Sequence, residues 1–249
     1  MGNPLAAGLL DTQAVSWSEY GWKEGIWRLR DIFDGNGIKA TVFTSGCLAE
    51  RAAGTITALV ESGHEIAAHS YAQDVVPVAL DEPAERENIA RCGELLAGAA
   101  GSRVSGWLSP RCTPSPRTGK LLAEAGYTWH ADCFDRDHPY IERHEAGDLV
   151  AVPFTMEVND LPHYVRYGNP ADALVETFSR TLAWLRLRDP RPGHLDVTVH
   201  AHVSGRPYAA RALAQMIEIA MEHADVWIPT HSDLVDWTLA NGHQPAGPG

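Results

Sequence analysis

Cysteine is scarce in this 249-residue chain, which has only Cys47, Cys92, Cys112 and Cys133. No two of them form a CxxC pair, and each falls in a separate expected element. That excludes a disulfide framework or a thiolate metal knuckle and points to free thiols in a reducing compartment. There is also no apolar run of membrane-spanning length. The start, Met1-Gly2-Asn3-Pro4, has no basic region leading into an apolar core, so it carries no secretory signal pattern. Positive charge is the minority sign. The 20 Lys and Arg stand against 32 Asp and Glu, for a formal net charge of −12. Nucleic acids and anionic membranes select a basic face, so neither is expected as a partner. The expectation is a cytoplasmic enzyme.

What the chain does have is an ordinary hydrophobic content of 45% and a regular alternation of two periodicities. Helical spacing begins near Lys23, with Ile26, Leu29, Ile32 and Phe33, and stops at Asn36-Gly37. Strands are expected over residues 39–44, 65–68, 104–108, 127–131, 148–153, 195–201 and 226–229. Helices are expected over 49–61, 116–125, 171–187 and 207–223 and from near Ser232. A further helix should begin at an Asp81 cap with Pro83 in its first turn. Residues 132–147 read as a long loop and 188–193 as a Pro-rich linker. Strictly alternating strands and helices imply a parallel sheet with helices outside it. The fold class is therefore α/β, as a single barrel-like domain over 23–240. An N-terminal segment, 1–22, has no clear structure, and 241–249 is a tail.

The most informative stretch is Gly63-His64-Glu65-Ile66-Ala67-Ala68-His69-Ser70, followed by Gln73. A short apolar strand delivers His69 at its C-terminal end, the end of an α/β sheet where ligands and chemistry gather. His200 ends a later strand in the same way, with His202 two residues on and sharing its face. Arg111 follows Ser109-Pro110 at another strand end, where its fork suits a carboxylate.

The order of these pieces resembles the polysaccharide deacetylase (NodB-homology) superfamily, and within it the branch with allantoinase-like and cytoplasmic peptidoglycan-deacetylase-like proteins. The pieces are Tyr20-Gly21 with Gly25-Ile26-Trp27-Arg28-Leu29, Thr41-Val42-Phe43, and the Gly63–His69 stretch. Then come Gly106-Trp107 with Arg111, Asp132 and Asp137 with Pro139-Tyr140, and Val152-Pro153-Phe154 with Asn159-Asp160. The last are His200, Gly205-Arg206-Pro207 and Val226-Trp227. The resemblance implies a distorted (β/α) barrel that hydrolyses a non-peptide C–N bond in a small amide, a ureide or an N-acetylated sugar.

The resemblance also implies roles. His200 protonates the departing nitrogen, work that suits an imidazole. Asp160 joins it as a catalytic or substrate-binding carboxylate, with Glu157 as an outside candidate. His69 and Arg111 hold the substrate or polarise its carbonyl, and Arg111 is free to pair with Asp132 or Asp160. Asp132, Trp107 and Tyr140 complete the substrate pocket, with Phe154 as a further wall. Metal-dependent members hold an ion with one Asp and two His spaced i, i+4. Here His69 is followed at that spacing by Gln73, a weak neutral ligand. The cofactor is thus none or one divalent metal on His69 and Gln73, Zn²⁺ if any.

The acid-bearing first strand of the family has no counterpart, and Asp11 is the only acid before Glu19. Three readings stay open: a metal-independent hydrolase, a chain whose start lies upstream, and an inactive domain that binds a small molecule or partner protein. A barrel lacking or altering its first strand exposes unpaired edges. Residues 1–15 plug the gap, a partner chain covers it (a homo-oligomer stays open), or the protein expresses poorly.

Overall fold

The computed structural model describes residues 6, 8–188 and 193–241. Expectations for Met1–Pro4, for part of the 5–10 stretch, for most of the 188–193 linker and for the tail beyond Asn241 lie outside the described residues.

The chain enters through α1 (Thr12–Tyr20), capped by Asp11, whose side chain accepts from the Ala14 N–H at 2.9 Å. Asp11 is thus an exposed helix cap and takes no part in a site. Helix therefore begins at Thr12 rather than near Lys23. A π-helical turn, Gly21–Gly25, leads straight into α2 (Ile26–Gly35). The glycines of this turn have a steric reason. A Cβ at Gly25 would overlap the Ala201 carbonyl oxygen, and one at Gly21 would lie 3.2 Å from the His202 nitrogen. Only bare backbone lets the turn press against the segment that carries His200.

There follow β1 (Thr41–Thr44), α3 (Gly46–Glu61), β2 (Glu65–Ala68), α4 (Glu82–Ala100), β3 (Gly106–Trp107), α5 (Thr118–Glu124) and β4 (Trp129–His130). Next are β5 (Tyr140–Glu142), β6 (Leu149–Ala151), α6 (Ala171–Arg188), α7 (Pro207–Met221) and α8 (His231–Asn241). Asp81 caps α4 as expected, accepting from the Ala84 N–H at 2.9 Å, and Gly101 ends it at φ 74°. No described helix is long and apolar enough to cross a membrane.

The sheet has six strands in the order β1-β2-β3-β4-β6-β5. All neighbours run parallel except β5, which pairs antiparallel to β6. β5 lies inside the 132–147 region read as loop. Two expected strands are weaker than predicted. Residues 195–201 are extended but form one parallel bridge only, Thr198 to Asn159, and 226–229 form no strand. The α/β fold with a parallel sheet stands, and the sheet is not closed into a complete barrel among the described residues: β1 pairs with β2 and with no second strand.

Apolar packing holds the layers. Ile56, Leu59, Ile89, Leu96, Leu121 and Leu122 bury one face of the sheet under α3, α4 and α5. Leu29, Leu174, Phe178, Leu213 and Met216 join α2, α6 and α7. Ala67, Trp129, Val150, Val152 and Phe154 fill the concave side. Each fully buried Leu of this kind contributes about 1.5–3 kcal/mol relative to exposure, so these clusters fix where the strand ends point.

Candidate active site

The C-terminal end of β2 places His69 in a cavity of about 1230 Å³ that His200 and His202 also line. Its ring Nδ1 sits 2.6 Å from the Leu108 carbonyl. A carbonyl only accepts, so Nδ1 carries the proton and Nε2 is bare. Enclosure by protein pushes the pKa of His69 down to about 4. A neutral ring in this tautomer accepts at Nε2 and has no N–H left for a substrate carbonyl. The expected carbonyl-polarising role of His69 therefore does not fit. The next residue, Ser70, is fully buried with φ 57°, held by Asn88 and by its own bond to the Val75 carbonyl. That network sustains a conformation ordinary residues avoid and fixes the strand end carrying His69.

His200 follows the extended 195–199 stretch. Its Nδ1 lies 2.6 Å from Asp160 Oδ1, and its main-chain N–H donates to Asp160 Oδ2 at 2.8 Å. Ser204 Oγ donates to the same Oδ2 at 2.6 Å. Asp160 is fully buried, so these donors enclose it. It reaches neither water nor substrate, which removes it as a substrate contact or stand-in base and makes it the group that orients His200. His202, two residues on, is turned edge-on against Trp17 at 4.3 Å, and burial lowers its pKa to about 4. The carboxylate partner thus separates His200 from His202.

Other expected residues stand apart from this cavity. Trp107 is fully buried core, and its indole N–H donates to Ser109 Oγ at 3.0 Å. Ser109 in turn donates to Asp132 through N–H at 2.7 Å and Oγ at 2.6 Å. Burial raises the pKa of Asp132 to about 6. Asp132 is thereby anchored to the β3 end and does not line the cavity. Tyr140 donates to Asp135 at 3.1 Å, away from the cavity. Phe154 packs in the core. Glu157 sits in a short 3-10 turn, Met156–Val158, outside the cavity lining. Arg111 is exposed with φ 60° and pairs with neither Asp132 nor Asp160 among the described residues. Trp107, Tyr140, Asp132 and Arg111 thus do not line the pocket, because β3 and the β4–β5 connection turn them into core or outward.

The metal expectation fails a test of donors. Gln73 is exposed, its amide N–H donates to Ser45 Oγ at 3.2 Å, and its amide oxygen is a weak neutral ligand for Zn²⁺. Among the described residues no group of three His, Cys, Asp or Glu side chains is arranged to hold an ion. His69 and Gln73 line the same cavity, but one imidazole and one neutral amide oxygen are too few and too weak a set to hold Zn²⁺ by themselves.

Several groups at the site carry no signal of their role in the sequence. Ser204 and Trp17 contact the dyad and its neighbour. Deeper in the cavity His231 stacks on Trp129 at 4.9 Å and lies 3.4 Å from Asp196. The Gly205-Arg206 pattern was the one hint. Arg206 lies 4.1 Å over the Tyr20 ring, and Arg28 binds both the Tyr20 hydroxyl and the Gly205 carbonyl.

Comparison with known proteins agrees with this architecture. The polysaccharide deacetylase family profile matches residues 16–130. A peptidoglycan deacetylase of Helicobacter pylori is 23% identical over 253 residues, covering 89% of this chain and 86% of its own. The crystal structure of Puue allantoinase superposes with a TM-score of 0.88 at 28% identity, covering 96% of this chain and 80% of the other. A structure from Pseudomonas aeruginosa PAO1, described as a probable polysaccharide deacetylase, gives 0.88 at 28%, with 98% and 82% covered. These matches support the polysaccharide deacetylase (NodB-homology) superfamily as the one this chain is similar to.

Proposed function

We propose that this chain hydrolyses a non-peptide C–N bond of a small amide, a ureide or an N-acetylated sugar, with His200 as proton donor. The observation that carries the reading is the pair of hydrogen bonds that His200 donates to Asp160 from its main-chain N–H and its ring Nδ1. Asp160 holds Nδ1 as the protonated nitrogen and stabilises the imidazolium, which leaves Nε2 to serve the cavity. Similarity to a peptidoglycan deacetylase and to an allantoinase supports amide chemistry.

In this reading water oxygen attacks the carbonyl carbon. The C–N bond breaks, the departing nitrogen takes its proton from His200 Nε2, and the proton that the attacking water gives up returns to His200 Nε2. The bare Nε2 of His69 accepts a hydrogen bond from the attacking water. Products are an amine and a carboxylic acid, or a ring-opened acid where the amide is cyclic.

The test is turnover of allantoin and of N-acetylglucosamine oligomers by the wild type, His69→Ala and His200→Ala. Loss of hydrolysis in His200→Ala, with the fold intact by circular dichroism, is the expected result. Full activity in both variants would remove the proposed site. Thermal stabilisation by a substrate without any turnover in the wild type would favour a binding domain instead.

A further inference from the structure

One face of α4 is polar where it meets the core. Glu85, Asn88 and Cys92 recur at i, i+3 and i+7, so they share one side of the helix, and all three are buried. Asparagine is a poor helix former, and its amide is costly to bury without partners. With Ile89 and Leu96 of the same helix already in the core, an apolar residue at position 88 would serve α4 better. The partners of Asn88 lie outside the helix, in the turn that follows β2.

That turn, His69-Ser70-Tyr71, is held from two sides. On one side the start of α3 binds its three carbonyls. Ser45 Oγ donates to the His69 carbonyl at 3.1 Å, the Gly46 N–H to that of Ser70 at 2.9 Å, and the Cys47 N–H to that of Tyr71 at 2.8 Å. On the other side Asn88 donates to Ser70 Oγ at 2.7 Å and accepts from the Tyr71 N–H at 2.9 Å. Cys92 Sγ adds a 3.0 Å bond to the Ser70 carbonyl. Ser70 stands at φ 57°, a conformation that a Cβ disfavours. Asn88 spans this residue from its hydroxyl to the next N–H, and so fixes its rotation as a unit.

His69 depends on that rotation. Its Nδ1 proton goes to the Leu108 carbonyl at 2.6 Å, and the Leu108 N–H donates back to the Ala68 carbonyl at 2.9 Å. If Ser70 relaxes to an ordinary φ, the His69 Cα–Cβ bond swings away from Leu108. The Nδ1 proton then loses its acceptor, and the neutral ring carries its proton on either nitrogen.

We propose that Asn88 is a positioning residue: by holding Ser70 in its left-handed turn it keeps the His69 ring on the Leu108 carbonyl and leaves Nε2 bare. The consequence for catalysis rests on the proposed reading of His69 as acceptor for the attacking water.

The experiment compares the wild type, Asn88→Ala and the double variant Asn88→Ala/Ser70→Gly. Glycine adopts φ 57° without a clamp. Histidine ring nitrogens are read by 15N NMR at neutral pH, with the His69 signals assigned by their absence from His69→Ala. Steady-state kinetics on allantoin and on N-acetylglucosamine oligomers run beside it. The expected result is one Nδ1-protonated tautomer in the wild type and a mixture in Asn88→Ala, with kcat lowered roughly 10- to 100-fold and KM held. The double variant should recover the single tautomer and most of kcat. Should Asn88→Ala not fold, Ser70→Ala and Ser70→Gly cut the same bond without touching α4: the first should mix the tautomers and the second should not. A single Nδ1-protonated tautomer in Asn88→Ala or Ser70→Ala would overturn the proposal. So would a mixture that Ser70→Gly fails to resolve, since Asn88 would then act on the fold at large. If the wild type turns over neither substrate, the proposed hydrolysis falls, while the ring nitrogens still decide the role of Asn88.

Discussion

Asp160 grips His200 at two points, the ring Nδ1 at 2.6 Å and the main-chain N–H at 2.8 Å. One carboxylate therefore fixes both the rotation of the imidazole and the backbone that carries it. Ser204 takes the remaining demand of Oδ2 from four residues further along the same segment.

Asp160→Asn keeps the shape but removes the charge that stabilises a protonated His200. Activity on a cleaved amide should fall about 100-fold, as general acid catalysis contributes typically 10²–10⁴-fold. KM should hold, because Asp160 does not meet substrate. Steady-state kinetics on wild type and variant checks this split.

Gly25→Ala should destabilise the fold and slow turnover together. The new Cβ overlaps the Ala201 carbonyl oxygen, a backbone atom that cannot step aside without moving the His200 segment. Overpacking of this kind costs about 1–3 kcal/mol. Gly35→Ala, with open space at its Cβ, is the neutral control. Chemical denaturation of both variants measures the difference.

Acid should weaken the fold well before carboxylates titrate fully. Burial lowers the pKa values of His69 and His202 to about 4 and pushes His64, His163 and His194 in the same direction. An unfolded His takes its proton near 6.5. As pH falls from 6.5 toward 4 the unfolded state therefore binds more protons at these sites, and stability drops. Asp132 opposes this, since its raised pKa, about 6, makes the folded state gain a proton first. With five imidazoles against one carboxyl, unfolding free energy should be lower at pH 5 than at pH 7. Urea titrations at the two pH values test it, and Asp132→Asn should steepen the decline.

Arg111→Gly should raise stability. Arg111 sits at φ 60°, and its exposed side chain forms no ion pair among the described residues. A left-handed conformation costs a non-glycine residue about 1–2 kcal/mol, while the added glycine freedom of the unfolded chain returns part of that. A net rise in Tm of about 2–4 °C is expected by thermal unfolding.

Much of the frame was legible because it is local. The β1, β2, β4 and β6 runs and the Asp81 cap follow from residues a few positions apart. His69 was legible as a strand-end histidine for the same reason. The N-terminal helix was not, because Thr12–Tyr20 has no buried residue to give it a stripe and gains its place through contacts such as Trp17 on His202. β5 was hidden in a charged stretch whose pairing to β6 is a tertiary event. Trp107, Tyr140 and Arg111 were misplaced because a sequence shows that a residue ends a strand but not which way its side chain turns.

The sequence by itself determined the alternation of helix and strand, the family frame, the strand-end positions of His69 and His200, and the loss of a second histidine at Gln73. Tertiary structure alone decided which groups meet. Asp160 and His200 lie forty positions apart, and the pairing of Asn159 with Thr198 brings them together. Contacts between segments that far apart leave no local pattern in the sequence, so only the folded chain records them.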